Sequence, residues 1–327
     1  MNSKHSVLSL IGERVQTARP CAAIPMNTSP SSADSRSGLA AVIGAFLIWG
    51  VLPLYLRLLQ SVPVLQIMSH RLVWCCLFVS LWLAACGRLG GVRAALATPA
   101  TRWRLAASAT MISVNWLVYV WSVNNGHIVE ASLGYFINPL VNVLFGVLLL
   151  SERLSRVQWG AVGLATVGVA WLTWHAGAPP WISLALALSF GAYGLIRKTV
   201  AVEAVDGLAA ETLLIAPIGA AYLIWTQFDG SGAFGHAGGL IDLWLVVSGV
   251  VTALPLALFA YGARRIAYST VGVCQYIGPT LQLLIGVVLF HEPFGTARAF
   301  GFALIWLALA IYAGEGLLRA RRERSRT

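Results

Sequence analysis

Charge is what this chain of 327 residues has least of: Asp, Glu, Lys and Arg together make up 10%, against 58% hydrophobic residues. A soluble globular domain carries about a quarter charged residues, so an ordinary soluble enzyme is excluded. A disordered chain, which depends on polarity, is excluded with it. So is a β-barrel porin, whose lumen-facing positions would restore polar residues. Cysteine is scarce as well. Cys21, Cys75, Cys76, Cys86 and Cys274 have no metal-ligand spacing, and neither a disulfide framework nor a zinc site is indicated. Acidic residues are fewer than basic ones, 12 against 22, for a formal charge of +10. The bases are scattered between apolar runs, which reads as membrane topology and not as a nucleic-acid partner. No GxxxxGK[ST] phosphate loop is present, which removes that route to ATP hydrolysis. No Ser/His/Asp or His/Glu cluster has spacing for hydrolysis or metal work, and no cofactor is expected.

What the chain does have is long apolar runs. A hydrocarbon core of about 30 Å needs roughly 20 apolar residues per helix. That length selects ten spans, at 39–57, 64–86, 104–123, 129–150, 157–174, 181–197, 207–227, 240–262, 266–290 and 297–317. The expectation is an all-α membrane protein. Residues 1–37 are polar and hold no run long enough for a signal peptide. Met26 opens a short polar leader, MNTSPSSADSRSG, and reads as the start, with 1–25 an artefact of the assigned start.

With the N-terminus in the cytoplasm, the segments 1–38, 87–104, 151–156, 197–206, 263–266 and 318–327 face inwards and hold nineteen Lys and Arg. Arg57 and Arg298 face outwards, and Arg71 lies within a span. That asymmetry places both termini in the cytoplasm. Trp103, Trp159, Trp174, Trp181 and Trp225 fall at span ends, where indole rings settle at the headgroups.

The chain also repeats itself. ASLGYFINPLVNVLFGVLLLSERLS, from Ala131, overlays STVGVCQYIGPTLQLLIGVVLFHEPFG, so that Pro139, Gly146 and Glu152 match Pro279, Gly286 and Glu292 at one offset without a gap. WGVLPLYLR, from Trp49, likewise resembles FGAYGLIRK, from Phe190. Residues 38–174 and 175–318 are thus two repeats of five spans each, followed by a basic tail at 319–327. Five is odd, so the second repeat enters the membrane from the opposite face. Inverted repeats belong to transporters, because exchanging the conformations of the halves exchanges which side is open.

The runs SHRLVW (69–74), NWLVYVW (115–121), EASLGYFINPLVNVLFG (130–146), SERLSRVQW (151–159), FGAYGLIRK (190–198), ETLLIAPIGAAYL (211–223), SGVVTALPLALF (248–259) and QYIGPTLQLLIGV (275–287) closely resemble the RarD subfamily of EamA-type drug/metabolite transporters. The resemblance covers 39–318. It implies a ten-helix permease of the bacterial inner membrane, built of two EamA repeats around a central cavity, whose partners are the bilayer and a small-molecule solute moved by alternating access. A coupling proton or ion is an open expectation, and the solute is unspecified. Two other classes stand beside this reading, a non-transporting receptor or scaffold and an intramembrane enzyme; solute uptake into proteoliposomes separates a carrier from both.

Several residues stand out within the spans. Pro139 and Pro279 each remove one backbone hydrogen bond mid-span, and the freed carbonyls need protein or a wet cavity. Asn138 precedes the first proline, and Gln275 and Tyr276 lie one turn before the second. Asn115, Trp116 and Tyr119 share one face of the third span, and an amide beside aromatic rings suits an amphipathic solute. Helix packing through Asn115 is the competing reading. His70 and Arg71 enter the second span, and an unpaired intramembrane arginine costs at least ~2.5 kcal/mol, so a partner or a wet site is expected. Glu211, near the opposite boundary, is about 15 Å too deep to supply it. Glu130 lies at the depth that the Arg71 side chain reaches. Either the two form an outer gate pair, or Arg71 holds an anionic group of the solute, or it snorkels outwards as an anchor. Glu152 and Glu292 sit at span ends, where helix-end contacts and gating are both open.

Overall fold

The computed structural model describes residues 32–150, 154–176, 179–263, 265–266 and 274–324. Its elements are helices: α1 (Ser32–Arg57), α2 (Val64–Ala85), α3 (Leu89–Ala97), α4 (Pro99–Asn124), α5 (Ile128–Leu150), α6 (Arg156–Ala176), α7 (Trp181–Lys198), α8 (Ala204–Phe228), α9 (Gly239–Ala263), α10 (Ile277–Leu284, continued by a π turn over Ile285–Leu289) and α11 (Thr296–Arg324). No strand occurs among the described residues. Glu152 and the whole of 1–25 lie outside them.

The helices begin and end where the chain's punctuation falls. Pro63 and Pro180 immediately precede α2 and α7, and Pro99 opens α4, where a missing N–H costs nothing. Past α2, Gly87 takes φ +67° and lets the Arg88 N–H return to the Leu83 carbonyl at 2.8 Å. Among the described residues, six helices are long and apolar enough to cross a membrane, and Trp181–Arg197 and Ile277–Leu289 are shorter apolar pieces. The outer surface is apolar to a degree no soluble protein tolerates: Phe228 is 87% exposed, Trp174 84%, Trp103 72% and Ile218 70%. The chain is a multi-pass membrane protein.

Two features depart from the expected spans. The segment 87–104, expected only to connect two spans, holds the short helix α3, whose Val92 and Ala95 are buried against α8. In the ninth span, part of which lies outside the described residues, the chain turns at Gln275–Tyr276 and helix runs from Ile277, so Pro279 falls in a first turn, where no intrahelical partner is needed for its nitrogen. Pro139, by contrast, is carried inside the continuous α5.

Helices from opposite ends of the sequence pack together. α2 lies on α8 and α6 on α11; α7 lies on α4 and α5, and α1 on α9 and α10. Glycines set the closest approaches: a Cβ on Gly134 would stand 2.8 Å from the Ser183 carbonyl, and one on Gly249 would stand 2.5 Å from the Trp74 backbone. Within α1, Pro53 removes the N–H that would bond the Trp49 carbonyl. Gln282 of α10 supplies the missing donor through Nε2 at 3.1 Å.

Candidate functional site

Arg71 lies two turns into α2, is 3% exposed, and has no carboxylate among its described contacts. Its Nε donates to Thr252 Oγ1 of α9 at 3.2 Å, and its guanidinium lies over the Trp116 ring of α4 at 5.1 Å. Nη1 is buried without a hydrogen-bond partner among the described residues. The hydroxyls of Tyr55, Tyr119 and Tyr135 surround it closely enough to feel its charge. Tyr55 donates to the Trp244 carbonyl at 2.6 Å and Tyr135 to Asn115 Oδ1 at 3.3 Å, while the Tyr119 hydroxyl has no partner among the described residues. Tyr119 meets Tyr135 edge to face, with ring centres 5.7 Å apart. A buried cation, a free hydroxyl and aromatic walls therefore meet where α1, α2, α4, α5 and α9 converge.

The site is covered at the end of the bundle that carries Gln66. The Gln66 amide clamps the turn after α8, donating to the Ser231 carbonyl and accepting from the Ala233 N–H, both at 2.8 Å. This seats Phe234 against His70, with ring centres 5.2 Å apart. Trp74 Nε1 donates to His70 Nδ1 at 3.3 Å, which puts the proton of a neutral ring on Nε2, itself without a partner.

The structure does not join Arg71 to Glu130. Glu130, part-exposed at the start of α5, faces Arg298 of α11 at 3.7 Å and His127 at 3.8 Å. Nor does Arg71 snorkel outwards, being covered on every side. Beside Glu130, the buried Glu292 accepts from the backbone N–H groups of Ile128 and Val129 at 2.7 and 2.8 Å, capping α5 from the far half of the chain. His291, with φ 53°, turns the chain so that Glu292 reaches this position.

Glu211 is buried in α8, one turn further in than a start at 207 would place it, because the helix begins at Ala204. Ser108 of α4 donates to its carboxylate, and Arg197 of α7 lies 3.7 Å away. Arg197 was expected among the loop charges; it sits in the last turn of α7 with 15% of its side chain exposed, and Gly207 leaves the space it occupies. Asn115 is fully engaged: its Nδ2 donates to the Leu186 carbonyl at 2.9 Å and to Ser189 Oγ at 3.0 Å, which is the packing role. Asn138 is buried in α5 with Oδ1 unpartnered. Tyr276 stacks on Phe136 at 6.3 Å and lines a shallow outer groove with Leu47, Thr280 and Leu281; neither it nor the half-buried Gln275 is among the contacts of Arg71. Trp116 and Tyr119 are the expected residues that gather around Arg71. Tyr55, Tyr135, Ser108 and Arg197 were missed, although Tyr55 stands in the first repeat motif and Tyr135 occupies the repeat position of Gln275.

Residues 36–174 match the EamA-like transporter family. A protein named RarD from Streptomyces exfoliatus is 45% identical over 90% of this chain and 93% of its own length. Escherichia coli RarD is 41% identical over 88% and 98%, and an uncharacterized transporter of Pseudomonas aeruginosa is 44% identical over 89% and 98%. A solved crystal structure, 21% identical, superposes with a TM-score of 0.57 over 85% of this chain and 97% of its own and is similar in fold.

Proposed function

The chain belongs to the RarD subfamily of the EamA-like transporter family, and from that premise we propose that it is a bacterial inner-membrane permease carrying a small organic solute by alternating access, with both termini in the cytoplasm. Ten spans form two inverted repeats of five. The helix pairing supports this: exchanging the halves returns α2–α8 and α6–α11 to themselves and turns α5–α7 into α10–α1 and α4–α7 into α9–α1. The pairing of α2 with α9 has a looser counterpart in α4 with α8, and on the proposed topology the Gln66 end faces the periplasm and is the closed end of this conformation. Glu130 gates that end through Arg298, and Glu292 does so through the start of α5.

The observation that carries the reading is the environment of Arg71. It is an uncompensated cation held between helices of both halves, where carriers of this architecture place the solute. Polar groups buried without partners are expensive, and a site that binds keeps them for its ligand. The test is uptake of a labelled metabolite library into proteoliposomes holding the purified protein; saturable uptake supports the carrier, and none by any member overturns it. For topology, alkaline phosphatase fused after 175–180 should be active and after 199–205 silent, and the reverse pattern overturns the orientation.

A further inference from the structure

We propose that the solute carries a carboxylate, bound between Arg71 Nη1 and the Tyr119 hydroxyl, with a flat apolar group against Trp116. This rests on reading the Arg71 site as the solute site, and it adds the chemical class. Three hydroxyls surround the guanidinium, and two have already given their hydrogens, Tyr55 to the Trp244 carbonyl and Tyr135 to Asn115. Thr252 is spent too, since it donates to the Ser248 carbonyl at 2.8 Å while accepting from Arg71 Nε. Of the guanidinium and the three hydroxyls, the fully buried donors that face no described acceptor are Nη1 and the Tyr119 hydroxyl. A carboxylate presents two oxygens in a plane and accepts from a guanidinium with charge assistance.

Charge selects the same class. The groups around Arg71, namely Tyr55 on α1, Cys75 on α2, Tyr119 on α4, Tyr135 on α5 and Thr252 on α9, are neutral. One bound monoanion brings the site to neutrality, whereas a phosphate dianion would leave a buried negative charge and a cation would double the positive one. The walls then decide what the anion is attached to. Trp116 lies under the guanidinium, and Tyr119 and Tyr135 meet edge to face beside it. Those surfaces favour an aromatic or planar apolar body over a bare inorganic ion.

The experiment measures thermal stabilisation of the purified protein in nanodiscs by a fixed probe set: benzoate, 3-phenylpropionate and indole-3-acetate, their three amides, phenethylamine, and sodium phosphate. At least one carboxylate should raise the melting temperature in a saturable way, with its amide at least tenfold weaker and the amine and phosphate inert. Arg71→Gln should abolish the shift. Tyr119→Phe, which keeps the ring, should weaken binding about tenfold, the scale of one hydrogen bond to a charged group. Arg71→Lys, which keeps charge without the planar fork, should fall between. Equal binding of carboxylate and amide, undiminished binding in Arg71→Gln, preference for phosphate, or no shift from any probe overturns the assignment. A neutral solute carried equally well by the wild-type protein and Arg71→Gln in proteoliposomes would also overturn it, while leaving the carrier intact; loss of all uptake would remove the carrier itself.

Discussion

Two arginines enter the bundle from opposite ends, Arg71 buried and Arg197 mostly so, and the chain treats them differently. Arg197 of α7 meets Glu211 of α8, which Ser108 of α4 also holds, so three helices share one neutral cluster. Arg71 of α2 meets a threonine, an indole face and tyrosines. At the offsets of the sequence repeat, His70 matches Glu211 and Ser108 matches Ser248. One neighbourhood sets a carboxylate 3.7 Å from its arginine; the other has a histidine at the matching position and no carboxylate among the described contacts of its arginine. A charge neutralised from within stabilises the fold. A charge left open is stability withheld for something that arrives from outside, as binding sites commonly require.

The largest test removes Arg197. Arg197→Met leaves Glu211 buried without its counter-charge and should lower stability by about 3–5 kcal/mol, read as a large drop in melting temperature in detergent; a melting point within a degree of wild type would show that the pair holds nothing together. Next is the opposite sign. Arg71→Met removes an uncompensated charge and should stabilise the solute-free protein by on the order of 2 kcal/mol, read as a higher melting temperature, while uptake disappears. If Arg71→Met destabilises as Arg197→Met does, the two arginines are alike and the contrast is lost. The smallest effect belongs to the partly exposed pair Glu130–Arg298, with side chains 29% and 37% exposed. Glu130→Gln should change stability by less than ~1 kcal/mol, yet shift the ratio of labelling at cysteines introduced on the two membrane faces; an unchanged ratio argues against its gating role.

Much of the frame was legible, and the reasons are physical. Apolar runs bounded by Pro and Gly marked α2, α5, α7, α8 and α9 to within a few residues, because span length is set by the bilayer and not by tertiary contacts. α3 was invisible since nine residues do not reach that length. The turn in the ninth span shows no more than its proline in sequence, and whether a proline kinks a helix or starts one depends on the turn before it. At the site, Arg71, Trp116 and Tyr119 could be singled out because a charge or a polar ring in an apolar run is conspicuous. Their partners could not: Thr252 is one of many hydroxyls, and Arg197, at the end of its expected span, looks like any boundary base until α8 packs beside it with Glu211. The depth argument that set Glu211 apart from Arg71 took its helix to start a turn later than Ala204, and it could not show that Glu130 would turn to Arg298.

The bond from Gln282 to the Trp49 carbonyl spans 233 positions of sequence, and it bears on how the protein is made. When α1 leaves the ribosome it enters the bilayer with a backbone oxygen already stripped of its own donor by Pro53. The helix that supplies the replacement is synthesised almost last. For most of translation that oxygen must borrow a partner from water or lipid headgroups, or from the insertion machinery. Truncated nascent chains ending before α10 should therefore hold α1 loosely, open to crosslinking along its Trp49 face, and lock it only when Gln282 emerges. Assembly of the first half thus waits on the second.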